Sequence, residues 1–242
     1  MSVPSPPILV LLPGMDGTGI MFEPFLRALS GFETRVVRYP VALMAYSDCV
    51  TFARTQLPVD RPFLLLGESF SGPIAIALAA ERPASLAGLV LCGTFARNPR
   101  PGLAWAASIL RALPPMRLPL AIIRLLLLGR WSTEALLELV RSMRLNLPAA
   151  TLKGRLLAVL AVDHTPLLAR IQVPILALCA SHDRLVPKEA TAWLRAHWAD
   201  LDIVTLQGPH WLLQTRPEAC AQAVQAFVGR NQATGVFHPT PP

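Results

Sequence analysis

Six short apolar segments recur along the chain, and helical segments separate most of them. The apolar segments are rich in Val, Ile and Leu, as strands buried on both faces usually are. They span residues 8–12, 34–39, 63–66, 88–92, 175–179 and 202–206. Helical patterns cover about 20–29, 45–56, 71–81, 188–198 and 217–228. This alternation predicts an α/β fold with a mostly parallel, doubly wound sheet.

One interval breaks this alternation. Residues 97–168 contain no strand pattern and are instead helical, interrupted by Pro, and rich in Leu and Arg. We therefore expect a helical cap here, inserted into a core formed by residues 1–96 and 169–230. The polar, Pro-ended segment 231–242 is expected to be a flexible tail. A chain of 242 residues suits one such domain.

The composition and the N-terminal residues bear on where in the cell the protein is expected to lie. Its 53% apolar residues include no run long enough to cross a membrane, and the N-terminus lacks the basic region of a secretion signal. The four cysteines show no metal-ligand spacing, so no metal site is expected. These features predict a cytoplasmic protein with reduced thiols and no membrane span.

The net charge of +7 is concentrated in the expected cap. Residues 97–155 contain ten Lys and Arg but only two acidic residues, whereas the rest of the chain has 12 basic and 13 acidic side chains. Such a local excess favours an anionic partner. Nucleic acid is a poor match, because no binding motif accompanies the charge.

The strongest chemical signal is Ser69. It lies in Gly-Glu-Ser-Phe-Ser-Gly, between an apolar segment and an Ala-rich helical segment. A strand, a tight turn with Ser at its apex and a helix form a nucleophile elbow, which exposes the hydroxyl at the sheet edge. Small residues are needed at positions 67 and 71, where strand and helix approach. Ser71 occupies a position where glycine is usual.

A serine hydroxyl needs a base and an orienting acid within hydrogen-bond reach. His210 follows the last apolar segment and is the expected base. Asp183 follows the segment 175–179 and is the expected acid, with Asp163 as the alternative. Residues that follow parallel strands share one edge of the sheet, so Ser69, Asp183 and His210 are expected to meet there.

The Gly-rich segment Leu-Pro-Gly-Met-Asp-Gly-Thr-Gly follows the first apolar segment. No Lys-Ser/Thr pair follows its glycines, which argues against a phosphate-binding loop. Beside an elbow, such a loop supplies a backbone N–H to an oxyanion, so Met15 and Phe70 are the expected donors. Asp16 is expected to form a turn, and Glu68 is expected to make structural hydrogen bonds.

Four motifs carry a resemblance to a known family: Leu-Pro-Gly-Met-Asp-Gly-Thr-Gly, Gly-Glu-Ser-Phe-Ser-Gly, Ser-His-Asp-Arg-Leu-Val-Pro and Gly-Pro-His-Trp. In this order and spacing they resemble those of the α/β-hydrolase superfamily over residues 7–228. The resemblance implies a serine carboxylic-ester hydrolase that uses an acyl-enzyme and no cofactor. In that mechanism Ser69 attacks a small acyl ester, His210 transfers the proton and Asp183 holds the imidazole. A serine nucleophile separates the chain from the dehalogenase branch, which uses Asp.

The cap would then select the substrate. Its apolar side chains are expected to line an acyl pocket: Leu103, Trp105, Ile109, Leu110, Leu120, Ile122, Ile123, Leu125 to Leu128, Leu136, Leu137, Leu139 and Val140. Its basic residues favour an acidic acyl carrier protein, with an anionic membrane surface as the alternative. This pattern is similar to pimeloyl-acyl-carrier-protein methyl ester esterases of biotin synthesis, which implies carrier docking at Arg141, Arg144, Lys153 and Arg155.

Other functions remain open. The Gly-rich loop also resembles that of acyltransferases that make phytyl esters, so the acyl acceptor need not be water. A general carboxylesterase, a lipase-like enzyme or a thioesterase would fit the same residues. A non-catalytic relative that only binds ligands is disfavoured by the intact Ser, Asp and His set.

Overall fold

The computed structural model describes residues 6–198 and 200–234. At its centre lies a six-stranded sheet in the order β2-β1-β3-β4-β5-β6, in which every neighbouring pair is parallel. The strands are β1 Ile8–Leu12, β2 Thr34–Val36, β3 Phe63–Glu68, β4 Leu86–Cys92, β5 Ile175–Ala180 and β6 Asp202–Leu206. The predicted fold class is confirmed.

Helices cover both faces of the sheet. They are α1 Glu23–Ala28, α2 Tyr46–Arg54, α3 Gly72–Ala80, α4 Ala106–Ala112, α5 Leu120–Ile123, α6 Glu134–Asn146, α7 Ala149–Ala161, α8 Lys188–His197, α9 Leu212–Thr215 and α10 Pro217–Ala233. Alternate strand residues enter two separate apolar clusters. Val10 and Leu65 pack towards α2, α3 and α8, whereas Leu9 and Leu64 pack towards α1 and α10. Burial on both faces explains the uninterrupted apolar segments.

Several element ends differ from the predicted ones. The second strand stops at Val36 rather than at residue 39, and the Tyr39 amide donates instead to the Gly17 carbonyl at 2.8 Å. The last helix continues to Ala233, so the first residues of the expected tail are helical. Residues 235–242 of that expected tail lie outside the described residues.

The interval between β4 and β5 contains α4 to α7, with a π-helical turn at Arg124–Leu128. Its two ends lie side by side, because the Asn98 amide donates to the Val162 carbonyl and the His164 amide to the Ala96 carbonyl, both at 2.9 Å. Over the core, Leu128 and Val140 of this interval share an apolar cluster with Met21 and Trp211. This insertion, residues 97–168, is called the cap below.

Arg155 of α7 corrects one expectation. Its side chain is completely buried, so the prediction that it contacts a partner is wrong. The guanidinium donates to the carbonyls of Met15 at 2.9 Å, Leu43 at 3.0 Å and Pro40 at 3.2 Å. It lies so close to Gly17 that a Cβ there would be 2.3 Å from it, and Gly17 also has a φ of +73°. Arg155 therefore anchors the cap to the Gly-rich loop.

The four cysteines are unpaired in the described chain. Burial raises the pKa of the Cys49 thiol to about 11 and that of Cys220 to about 12, so both remain protonated near neutral pH. Within residues 6–198 and 200–234, no three His, Cys, Asp or Glu side chains form a group that could hold a metal ion. No helix in these ranges combines the length and apolarity needed to cross a bilayer.

The Arg155→Met substitution should lower the free energy of unfolding by about 3 kcal/mol, because three buried carbonyl oxygens lose their donor. Arg144→Met is the matched control, since Arg144 is partly exposed, and its effect should stay below about 0.5 kcal/mol. Urea unfolding followed by circular dichroism measures both. Equal losses in the two variants would contradict the anchoring role.

Candidate active site

The turn between β3 and α3 has the geometry of a nucleophile elbow. Ser69 has a φ of +49°, in the left-handed region that non-glycine residues rarely adopt. A Cβ at Gly67 would lie 2.7 Å from the Ser71 carbonyl oxygen and 2.8 Å from the Ala75 Cβ. A Cβ at Gly72 would lie 1.9 Å from the Thr94 hydroxyl oxygen. Both glycines are therefore required by close packing around the turn.

Ser69, His210 and Asp183 are joined by hydrogen bonds at the carboxyl edge of the sheet. The Ser69 Oγ lies 2.8 Å from the His210 Nε2, and the His210 Nδ1 lies 2.7 Å from the Asp183 Oδ2. The other Asp183 oxygen accepts the backbone amides of Leu185 at 2.8 Å and Val186 at 2.9 Å. These bonds fix the carboxylate, which in turn orients the imidazole. The structure thus brings together the three residues singled out from the sequence.

The electrostatics of this arrangement favour a basic imidazole. Burial alone would lower the His210 pKa, but the charge of Asp183, its hydrogen bond and the charge of Glu68 act in the opposite direction. Their combined effect raises the His210 pKa above its ordinary value. A neutral His210 is consequently a stronger proton acceptor than a free histidine would be.

Asp163, the alternative acid, lies at the base of the cap. It is exposed, and its backbone forms an isolated antiparallel β-bridge with that of Arg97. Its carboxylate accepts the Thr165 amide at 2.9 Å and also the Thr165 hydroxyl. It is outside the hydrogen-bond chain that contains His210.

The Gly-rich loop after β1 lies against the elbow. The Gly17 amide donates to the Gly14 carbonyl at 3.0 Å, and the Asp16 carboxylate accepts the Thr18 amide at 2.9 Å, which closes the tight turn expected for Asp16. The Met15 carbonyl is held by Arg155, described above. The Ser71 hydroxyl of the elbow donates to the Pro13 carbonyl of the loop, so the two expected oxyanion donors lie on neighbouring segments.

Ser71 has a role that the sequence did not reveal. It is completely buried, and its hydroxyl donates to the Pro13 carbonyl and shares a 2.9 Å hydrogen bond with the Tyr39 hydroxyl. A glycine at this position would make neither bond. The only sequence signal was the hydroxyl itself at a position where glycine is usual. Ser71 joins the elbow directly to the Gly-rich loop.

Glu68 forms a second buried connection. Its carboxylate accepts the Gln214 side-chain amide at 2.9 Å. Gln214 also donates to the Met21 carbonyl at 3.1 Å. Burial is the main cause that raises the pKa of Glu68 to about 7. The structural role expected for Glu68 matches these contacts, whereas Gln214 was not identified from the sequence.

The remaining cap cations expected to bind a partner differ in how their charges are engaged. Arg141 pairs with Glu134 at 2.6 Å and with Glu138 at 2.9 Å, and its positive charge is offset by both. The Lys153 ammonium donates to the Arg111 carbonyl at 3.0 Å. Arg144 is partly exposed, and its side chain has no hydrogen-bond partner in the described chain.

The apolar side chains of the cap differ in burial, and some of them are only half-buried. Leu128, Leu136 and Val140 are buried against the core. Others that were expected to line an acyl pocket are exposed at the surface instead: Leu103, Trp105, Ile109, Ile122 and Leu125. A cavity of about 420 Å³ between β5, β6 and α8 has Asp183, but not Ser69, in its lining. The exposed group thus does not form an enclosed tunnel over the nucleophile.

Comparison with known proteins agrees with this geometry. A model of the alpha/beta hydrolase family matches residues 8–223, a range that includes Ser69, Asp183 and His210. The chain belongs to the alpha/beta hydrolase family. The resemblance expected from its motifs is therefore confirmed, and the hydrolase can be compared with relatives of known structure.

The hydrolase is similar to a hydrolase from Pseudomonas aeruginosa PA01, with 26% identity, a TM-score of 0.70 and coverage of 93% of this chain and 90% of that one. It is also similar in fold to an esterase from Exiguobacterium antarcticum, with 16% identity, a TM-score of 0.75 and coverage of 93% and 92%. Among curated proteins, phytyl ester synthase 1 from the chloroplast of Arabidopsis thaliana is 32% identical over 105 residues. That match covers 38% of this chain and only 15% of the synthase.

The Glu68→Gln substitution should change how stability depends on pH. Because the folded-state pKa of Glu68 is raised from 4.5 to about 7, its contribution to stability is present below pH 4.5 and is lost as the pH rises through about 7. The free energy of unfolding of the variant, relative to that of the unsubstituted hydrolase, should therefore rise by up to about 3 kcal/mol from acidic to alkaline pH.

Urea unfolding at a series of pH values measures this difference. The exposed Glu189→Gln variant is the control and should show no pH-dependent gain. A difference between Glu68→Gln and the unsubstituted hydrolase that stays constant with pH would contradict the assignment.

Proposed function

We propose that this member of the alpha/beta hydrolase family is a serine carboxylic-ester hydrolase. The observation that carries the proposal is the hydrogen-bond chain from the Ser69 Oγ to the His210 Nε2 at 2.8 Å, and from the His210 Nδ1 to the Asp183 Oδ2 at 2.7 Å. A serine placed at the apex of an elbow, a buried imidazole and a fixed carboxylate are the groups that acyl transfer through a serine requires.

In the proposed mechanism, the Ser69 Oγ attacks the ester carbonyl while His210 Nε2 takes the hydroxyl proton. The tetrahedral intermediate collapses, His210 gives its proton to the departing alcohol, and an acyl-enzyme remains on Ser69. A water molecule then loses a proton to His210 and attacks the acyl carbonyl, which releases the acid and restores the Ser69 hydroxyl. Throughout, Asp183 holds the imidazole and stabilises its protonated form.

Two backbone amides are proposed to stabilise the oxyanion of the intermediate, those of Met15 and Phe70. The positions of their segments are fixed by two hydrogen bonds: the Arg155 guanidinium donates to the Met15 carbonyl, and the Ser71 hydroxyl donates to the Pro13 carbonyl. Donors held in this way need little reorganisation during the reaction. Each such donor typically lowers the barrier by about 3 kcal/mol.

An alcohol acceptor is the second candidate. The observation that favours it is the similarity of part of this chain to phytyl ester synthase 1. The same acyl-enzyme would then be attacked by an alcohol rather than by water, with His210 taking the alcohol proton. Product analysis with and without an added long-chain alcohol distinguishes the two reactions.

A carrier-bound methyl ester, such as a pimeloyl carrier ester, is not favoured by the cap. Arg155 is buried, Arg141 is paired with two glutamates and Lys153 is engaged with a backbone carbonyl. Only Arg144 of the four expected docking cations has a side chain without a hydrogen-bond partner in the described chain. The proposed reaction is therefore the hydrolysis of a small acyl ester.

The Ser69→Ala substitution should lower kcat on p-nitrophenyl esters by about 10⁴-fold or more, because the nucleophile is removed. Labelling by a fluorophosphonate probe should disappear in the same variant. Ser47→Ala, on the exposed face of α2, is the matched control and should keep both properties. Retained turnover or labelling in Ser69→Ala would refute the serine mechanism.

The dependence of kcat/KM on pH should report the raised pKa of His210. Only the neutral imidazole accepts the Ser69 proton, so activity should fall on the acid side as His210 becomes protonated. Because its pKa is raised from 6.5, the midpoint of this acid limb should lie above pH 6.5. A pH series with a p-nitrophenyl ester measures it, and a midpoint at or below 6.5 would contradict the expected direction.

A further inference from the structure

Exposed apolar side chains are concentrated on the cap. Of the twelve large apolar side chains that are exposed in the described chain, ten belong to the cap, and eight of these lie between residues 103 and 125. The eight are Leu103, Trp105, Ile109, Leu113, Met116, Leu118, Ile122 and Leu125. The helical turn Pro101–Leu103 and helix α4 contain no buried residue. We call residues 100–125 the apolar segment.

Positive charge accompanies this exposure. The apolar segment contains four arginines and no acidic residue, and no Asp or Glu occurs anywhere between residues 97 and 133. Arg100 and Arg117 direct their guanidinium groups to backbone carbonyls rather than to carboxylates. Arg111 and Arg124 are exposed. Their charges are therefore not neutralised by acidic side chains of the segment itself.

The apolar segment lies next to the loops that carry Asp183 and His210. At its beginning, Arg100 donates to the Arg184 carbonyl at 2.7 Å and to the Leu185 carbonyl at 3.1 Å. At its end, Arg184 donates to the Leu125 carbonyl at 2.9 Å. Just beyond it, the Trp211 amide donates to the Leu127 carbonyl at 3.2 Å. The segment is thus fixed at the rim of the candidate active site.

From these observations we infer that the apolar segment is a docking surface for an anionic phospholipid bilayer. Interfacial binding requires apolar side chains that enter the boundary between headgroups and acyl chains, together with cations that meet lipid phosphates. Trp105, 63% exposed, and Met116, 64% exposed, supply the first feature, and the arginines supply the second.

Other occupants explain only part of the surface. An acidic protein would match the arginines but would leave the densely spaced apolar side chains without a matching environment. A second copy of this chain would match the apolar side chains but would bring unneutralised arginines together. An anionic bilayer offers apolar and negatively charged regions at adjacent depths, which matches both features of the segment.

Vesicle co-sedimentation tests the inference, with the full chain carrying Ser69→Ala so that lipid turnover does not interfere. Vesicles of phosphatidylcholine mixed with phosphatidylglycerol should bind the protein at least about tenfold more tightly than vesicles of phosphatidylcholine alone. Because binding is measured without catalysis, this outcome is independent of the proposed esterase function.

Two pairs of variants locate the surface. The Trp105→Ser/Met116→Ser variant should bind anionic vesicles at least about tenfold more weakly, whereas Val41→Ser/Val59→Ser, at exposed apolar positions outside the cap, should bind normally. The Arg111→Gln/Arg124→Gln variant should lose at least about tenfold, whereas Arg38→Gln/Arg195→Gln, outside the cap, should not. Thermal unfolding midpoints verify that every variant is folded.

Several results would overturn the inference. These are failure of the protein to bind anionic vesicles, equal binding to neutral vesicles, or equal losses in the cap variants and their controls. Gel filtration that showed a dimer abolished by Trp105→Ser/Met116→Ser would assign the surface to a second copy. Binding of an acyl carrier protein that this variant abolishes, without vesicle binding, would assign it to a protein partner.

Discussion

The close approach of β3 and α3 around Ser69 is the constraint on which the site depends. Gly67 and Gly72 have no room for a Cβ, and Ser69 is held at a φ of +49° between them. This strain is maintained because the strand and the helix are both buried in the core, so the turn cannot relax without separating them. The Ser69 hydroxyl is thereby directed towards the sheet edge at which β5 and β6 deliver Asp183 and His210.

Buried hydrogen bonds also hold the Gly-rich loop in place beside this turn. Ser71 donates to the Pro13 carbonyl, and Arg155 reaches from the cap to the Met15 carbonyl. Two residues of the loop are thus held by two different elements. Buried polar groups are costly unless they are paired, and pairing makes their geometry specific. The same contacts that satisfy these groups also set the position of the proposed oxyanion donors.

The sequence was sufficient for the features that depend on local pattern. The six short stretches rich in Val, Ile and Leu predicted all six strands. Ser69, Asp183 and His210 follow three of these stretches, which predicted that they meet at one edge of the sheet. Contacts between distant segments were not accessible in this way. The pairing of Glu68 with Gln214 spans 146 positions, and that of Arg155 with Met15 spans 140. The sequence predicts a surface position for Arg155, because most arginines are exposed and nothing in its neighbourhood in the sequence indicates burial.

The number of basic residues in the cap does not by itself indicate a docking face. The cap contains ten basic residues, but their surroundings differ. Arg155 is internal, and Arg141 is paired with glutamates. Arg111 and Arg124 are exposed beside apolar side chains. The excess charge matters only where no carboxylate offsets it. In the part of the cap before Glu134 that condition coincides with large exposed apolar side chains. Charge and apolar exposure together, rather than charge alone, characterise the surface that borders the candidate active site.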